Sequence, residues 1–303
     1  MMWLRRTFLF VVTNILVMAT LMFLVNLLGL QPYLNRNGID YFSLMIFCLF
    51  WGFGGAFISL LISRWMAKMS MGVQVLDPEN PGGSEERWLV DTVHRLAQKA
   101  GLTTMPEVGI YKSPDPNAFA TGPGKDSALV AVSSGLFTAM NHDQIESVLG
   151  HEMTHITNGD MVTMTLVQGV VNSFVFFLAW VFSIILTQGG NNDRRGNNYM
   201  AQFFIRQILQ VVLGLLGFLV VMWFSRWREF RADAGGARLT SRHRMADALR
   251  GLQKYIDRPK PAEPASLAAF KISAPGGNLF ASHPPLEVRI ARLESGSDIV
   301  AED

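Results

Sequence analysis

The chain has 303 residues; half are hydrophobic and only 17% are charged. That balance excludes an ordinary soluble globule and points to a membrane protein with a soluble part. A net charge of +2 makes no case for nucleic acid, and a single cysteine, Cys48, excludes both an intramolecular disulfide and a thiolate zinc site.

Residues 7–30 carry no charge and are long enough to cross about 30 Å of hydrocarbon. A signal peptide is excluded because the run exceeds a typical h-region and no small-x-small cleavage site follows. Arg5 and Arg6 precede the run and place the N-terminus in the cytoplasm. Residues 31–40 read as a short outer loop. A second uncharged run covers 41–63, with Arg64 and Lys68 behind it on the cytoplasmic side. Gly52, Gly54, Gly55, Ala56 and Ser59 in this run fit close helix packing in lipid. Cys48 reads as a small core or lipid-facing residue.

Soluble character begins near residue 67. After a turn-rich loop at 77–83, Ser84 is expected to cap a helix whose first turn holds Glu85 and Glu86. Its buried stripe is Leu89, Val93, Leu96, Ala97 and Ala100, it ends at Gly101, and His94 on it reads as solvated. Residues 108–111, 117–121 and 128–133 read as strands, the last two joined by Gly122-Pro123-Gly124. Asn141 is then a good N-cap, with Gln144 at N3, and Asn158-Gly159 a C-cap. Between them lies a helix of roughly 17 residues.

The last turns of that helix read His151-Glu152-Met153-Thr154-His155. Residues four apart share a helix face, so both imidazoles can close on one ion. Zinc suits imidazole ligands and an open position for water, whose pKa it would lower to about 7. Glu152, about 100° around the axis, is placed to take the proton as general base. The alternative is a plain polar helix face, which the caps and the apolar periodicity of Ile145, Val148, Leu149 and Ile156 argue against.

A third uncharged run follows at 162–186, with Asp160 before it as the expected N-cap, then a polar loop at 188–198. A fourth apolar run, 207–225, ends in Arg226 and Arg228 and returns the chain to the cytoplasm. Gln168, Asn172 and Gln210 fit interhelical hydrogen bonding. The helix is expected to continue past Arg228, followed by an amphipathic helix over 240–255, a proline-marked linker, and a last helix entered through His283-Pro284-Pro285. Two N-terminal spans within 7–66 thus precede one soluble domain, 67–160 with 226–303, interrupted by a membrane hairpin at 161–225.

Two histidines do not complete a zinc site. Glu229 and Asp233, in Arg228-Glu229-Phe230-Arg231-Ala232-Asp233, share a helix face. One can bind zinc while the other accepts the ring N–H of a ligand histidine. The alternative is an exposed turn carrying i,i+4 ion pairs with Arg226 or Arg228.

H-E-M-T-H followed by N-G-D, then R-E-F-R-A-D, resembles the HtpX membrane metalloproteases, relatives of the CAAX prenyl proteases among the gluzincins. The resemblance extends to N-A-F-A-T-G at 117–122, M-V-T-M-T-L-V-Q-G-V-V-N at 161–172, and S-H-P-P at 282–285, with no departure at a metal position. It implies His151, His155 and Glu229 as ligands of one Zn2+ per chain, Glu152 as catalytic base, and Asp233 as the carboxylate behind a ligand. It also implies Asn117, Ala118 and Phe119 as an edge strand on which substrate is laid by β-augmentation; the residues alone favour a turn there after Pro114 and Pro116.

The expected fold is therefore a membrane α-helical protein of about four transmembrane helices, with a cytosolic, mainly α zincin-type metalloprotease domain containing a small β-sheet. What the resemblance implies is an inner-membrane zinc endopeptidase acting at the cytoplasmic face on damaged or misfolded membrane proteins, in protein quality control and stress response. Its partners would be polypeptide substrates and the lipid bilayer. A prenyl-protein endopeptidase and a non-enzymatic scaffold with a vestigial site are the rivals. His283, on a backbone stiffened by Pro284 and Pro285, reads in three ways. It could donate to the forming oxyanion, occupy the open zinc position as a latency ligand, or only start the last helix.

Overall fold

The computed structural model describes residues 12, 15–20, 22, 23, 26, 27, 29, 40–187, 198–257 and 283–296. Half of the expected first span at 7–30 therefore lies outside the described residues. So do most of the 31–40 loop, the 188–197 loop and the proline-marked linker.

In chain order the elements are α1 (Tyr41–Met71), β1 (Gln74–Val75), α2 (Ser84–Lys99), β2 (Glu107–Tyr111), β3 (Ala118–Gly124) and β4 (Ser127–Ser133). Then come α3 (Ser134–Ala139), α4 (His142–Asn158), α5 (Asp160–Thr187), α6 (Asn198–Leu239), α7 (Arg242–Ile256) and α8 (Leu286–Ser295). Among the described residues, three helical stretches are long and apolar enough to cross a membrane: Tyr41–Met71, Asp160–Thr187 and Tyr199–Leu239. The chain forms two compact units, Met1–Ser59 with Thr163–Val221 and Leu60–Val162 with Met222–Asp303.

In the first unit, Leu44, Met45 and Cys48 of α1 are buried with Val17 and with Phe177, Val181 and Ile184 of α5. Gly52 lies against the backbone of Ser173, leaving no room for a Cβ, whereas Gly54 and Gly55 have no neighbour within 4 Å of where a Cβ would be. Asn172 Nδ2 donates across the helices to the Gly52 carbonyl at 3.4 Å, and Gln168 Nε2 donates to Asn172 Oδ1 at 2.8 Å.

The second unit is built on a four-stranded mixed sheet of order β1-β2-β4-β3, so β3 is an edge. β2 runs parallel to β4, and the other two pairs are antiparallel. Leu89, Val93 and Leu96 of α2 and Ile145, Leu149, Met153 and Ile156 of α4 are buried with Val108, Val130 and Val132 of the sheet. Fully burying each such side chain contributes about 1.5–3 kcal/mol. This holds α4, with its two histidines, at a fixed height over the sheet.

Local chemistry explains most boundaries. Asn141 and Gln144 form a capping box at the start of α4, and Gly159 closes it with φ 69°. Three local expectations are corrected. Ser84 is the first residue of α2 rather than its cap; Gly83 holds that place without a side-chain bond. The acidic first turn, Glu85 and Glu86, complements the helix dipole there instead. Gly122-Pro123-Gly124 is not the hairpin turn but part of β3, and the chain turns at Lys125-Asp126. Pro123 lacks an N–H, and the ladder shifts register between Thr121 and Gly124, as at a bulge. Gly122 has φ 144°, and a Cβ there would collide with the Ser127 carbonyl. Asp160, finally, is not an N-cap: it is the first residue of α5 and its carboxylate is used by a histidine.

Candidate metal centre

α4 carries His151 and His155 one turn apart, both buried. α6 crosses α4 at glycines. A Cβ on Gly235 would run into the Thr154 side chain, and one on Gly236 would sit 3.0 Å from the His151 backbone nitrogen. This close approach brings Glu229 and Asp233 of α6 onto the two imidazoles. Glu229 is fully buried, Asp233 nearly so.

The Nε2 atoms of His151 and His155 lie 3.2 Å apart. Glu229 Oε2 is 3.3 Å from the first and Glu229 Oε1 is 3.4 Å from the second. These three residues are the candidate metal-holding group among the described residues. Behind them, His151 Nδ1 lies 2.9 Å from Asp233 Oδ1, and His155 Nδ1 bonds Asp160 Oδ2 at 2.6 Å. A carboxylate can only accept, so the bond to Asp160 places the His155 proton on Nδ1 and turns its Nε2 inward, and the Asp233 charge beside His151 Nδ1 favours the same arrangement there.

Zinc fits this arrangement. Two lone pairs facing each other across 3.2 Å repel unless a cation lies between them. Donors 2.0–2.1 Å from a tetrahedral centre are about 3.3 Å from one another, which is the spacing found. The carboxylates of Glu152, Asp160, Glu229 and Asp233 gather around the two imidazoles, a concentration of negative charge that suits a divalent ion.

The electrostatics say the same. Burial disfavours a charged His151, yet hydrogen bonding and charge from Asp233 and Glu229 outweigh it and lift its pKa to about 10. His155 is raised too: burial opposes, and Asp160 and Glu229 prevail. Burial also opposes ionisation of Glu229 and Asp233, but the histidines hold Glu229, and Arg289 with His151 hold Asp233, well below the usual carboxylate range. A field that favours protons on buried imidazoles favours a divalent ion in their place.

A cleft of about 640 Å³ opens on this centre. His151, Glu152, Glu229, His283 and Arg289 contribute its polar side, and Leu136, Val148, Met245, Leu249 and Leu252 an apolar wall. Asn117 and Ala118 line it. Phe119 does not; it packs on the other side of the sheet with Tyr111, Leu129 and Ala131. Glu152 Oε2 accepts the backbone N–H of Ala120 at 2.9 Å. His283 stands at the rim, its side chain 60% exposed, with Nδ1 2.7 Å from Glu229 Oε2.

Sequence reasoning missed two residues. Asp160, just before an apolar run, has the sequence position of an N-cap, yet its carboxylate bonds His155 Nδ1. The left-handed Gly159 is the signal that the chain turns there and can present Asp160 back to the ring. Arg289 donates to both oxygens of Asp233, at 2.8 and 2.6 Å, and is buried. Its signal was available: Leu286, Arg289, Ile290 and Leu293 have core spacing, so one core-stripe position of α8 is an arginine.

Comparison with known proteins agrees with the geometry. The Peptidase family M48 profile matches residues 83–297. Protease HtpX homologs of Methylacidiphilum infernorum and Bacillus subtilis are each 48% identical, over 301 and 298 residues. Each alignment covers 96% of this chain, and 98% and 99% of the respective homolog. Protease HtpX of Thioalkalivibrio sulfidiphilus is 48% identical over 298 residues, 96% of this chain and 99% of that protein. Among solved structures, the crystal structure of S. mikatae Ste24p shares the fold, with a TM-score of 0.58 at 18% identity over 94% of this chain and 66% of that one. With a donor set that fits zinc beside a Glu, and relatives that align from end to end, this chain belongs to peptidase family M48 as an HtpX-like zinc metalloprotease.

Proposed function

We infer that this chain is a membrane-embedded zinc endopeptidase that hydrolyses peptide bonds of damaged or misfolded membrane proteins at the cytoplasmic face. The observation that carries the reading is the convergence of His151 Nε2, His155 Nε2 and the Glu229 carboxylate within 3.2–3.4 Å of one another, in a cleft that also holds Glu152. The domain organisation that goes with it is two N-terminal spans, a split protease domain and a membrane hairpin. In sequence, the zinc motif and Glu229 each lie a few residues from an apolar run, so substrates would be cut close to the bilayer.

His151, His155 and Glu229 would hold one Zn2+. When bound, the ion supplies a Lewis acid for the scissile carbonyl and eases ionisation of water at neutral pH. Glu152 takes the proton from that water and returns it to the leaving amine. Asp233 and Asp160 hold the two ligand rings in one tautomer and one orientation. Ala118, on the free edge of the sheet, pairs with the substrate backbone, and Asn117 beside it lines the cleft. His283 has its Nδ1 proton committed to Glu229, so only its charged form offers a second proton, on Nε2, to oxygen charge developing in the transition state. That bond engages it with the Glu229 carboxylate and favours the donor role over latency.

The test is purified full-length protein with zinc, incubated with an unfolded membrane protein with and without chelator. Fragments that appear only with zinc support the reading. Preferential cleavage of a farnesylated peptide would move it to the prenyl-protein endopeptidases. Stoichiometric zinc without cleavage of either would leave a scaffold.

A further inference from the structure

The free edge of the sheet and the base are joined by one hydrogen bond. Among the described residues β3 pairs on one side only, with β4. Just before β3 the Ser133 N–H donates to the Asn117 carbonyl at 2.9 Å, so Asn117 and the odd-numbered residues that follow turn their backbone groups toward β4. Its even-numbered residues, Ala118 and Ala120, therefore turn theirs outward, toward the cleft. Ala118 lines the cleft, whereas the N–H of Ala120 is taken by Glu152 Oε2 at 2.9 Å. Just beyond, at Thr121–Gly124, the register shifts and the regular edge ends.

We propose that the Ala120 backbone amide is a positioning donor that fixes Glu152 and sets where along β3 the substrate strand is cut. This rests on Glu152 being the general base. A glutamate has three side-chain torsions and, on an exposed helix turn, samples several rotamers. Binding one oxygen to a backbone amide leaves the other as the oxygen that meets water. Proton transfer needs that oxygen within about 2.6–3.2 Å of its target, so holding it there lowers the barrier without tightening substrate binding. The same bond withdraws Ala120 from pairing. A substrate laid on the edge then pairs at Ala118 and stops short of Ala120, which brings the peptide bond that leaves the pairing region to the base. Register and catalysis share one strand, so a side chain need not encode either.

The amide can be removed without touching a side chain. In the full-length protein, Ala120 is replaced by its α-hydroxy analogue, which exchanges the N–H for an ester oxygen. Ala118 is replaced in the same way as a second variant. The substrate is a fluorescence-quenched peptide spanning a site that the parent enzyme cleaves. The expected result is a kcat lower by roughly tenfold to a hundredfold at position 120, the size of a hydrogen bond to a charged group. KM and zinc content should be unchanged there, whereas position 118 should raise KM and leave kcat alone. In a Glu152→Asp background, whose shorter side chain no longer reaches the amide, the 120 ester should cost less than twofold. A kcat within twofold of the parent at position 120, or an effect confined to KM, overturns the proposal. So does an undiminished loss in the Glu152→Asp background. Failure of the underlying reading looks different: Glu152→Gln alone would then retain turnover.

Discussion

Arg289 grips Asp233 with two parallel hydrogen bonds, Nε to Oδ2 and Nη2 to Oδ1, and both residues are buried. Asp233 in turn faces the Nδ1 of His151. The last described helix, α8, is thereby tied to the first metal ligand through one carboxylate. Burial alone would favour the neutral acid; the guanidinium keeps Asp233 ionised and able to hold the ring.

Arg289→Met should therefore destabilise the folded protein by about 3–5 kcal/mol, because it strands a buried charge. Arg289→Met with Asp233→Leu should recover much of that stability, since neither charge remains, while zinc retention stays poor. Denaturant unfolding with zinc content measured on the same samples checks both halves.

Metal removal should follow which atom faces the centre. Glu229→Ala should lose zinc on dialysis against a weak chelator. Asp160→Asn and Asp233→Asn should keep the donor set but weaken zinc by roughly 10–100-fold, because each disturbs a ring tautomer. Full occupancy in Glu229→Ala would assign the third ligand elsewhere.

Glu152→Gln should bind zinc like the parent and show no turnover. The amide preserves shape, including an oxygen for the Ala120 N–H, but cannot take a proton. Near-normal proteolysis by the pure variant would remove Glu152 from the chemistry.

The crossing of α4 and α6 is set by Gly235, whose added Cβ would collide with Thr154. Gly235→Ala gains about 1 kcal/mol of helix propensity but overpacks the contact at a cost of about 1–3 kcal/mol. The expected outcome is a lower Tm and weaker zinc binding, partly restored by Thr154→Ala. Equal effects in the single and double variants would mean that the two residues are not coupled.

Topology is tested by Asn192→Cys and Ser241→Cys, separately, in a Cys48→Ser background. The arginine and lysine flanks predict labelling from opposite sides of intact cells, although Arg194 and Arg195 oppose the positive-inside pattern. Labelling from one side would make 161–225 a hairpin that dips without crossing.

The sequence by itself determined whatever depends on neighbours within a few residues. His151 and His155 share a face because a helix repeats every 3.6 residues, and the capping box at Asn141 and Gln144 and the left-handed Gly159 bound that helix. Of the four apolar runs, three fall on described helices long and apolar enough to cross a membrane. It also narrowed the third ligand to Glu229 or Asp233, with resemblance selecting the first. What only the tertiary structure decided depends on groups that meet across distance. Glu229 faces both Nε2 atoms while Asp233 lies behind one ring, a division set by how α6 crosses α4 at its glycines. Asp160 reaches His155 only because the chain reverses at Gly159, Arg289 arrives from the last helix, and the Ala120 amide from an edge strand. Hydrogen bonds between such groups leave no periodicity in a sequence, because the packing that brings them together is non-local.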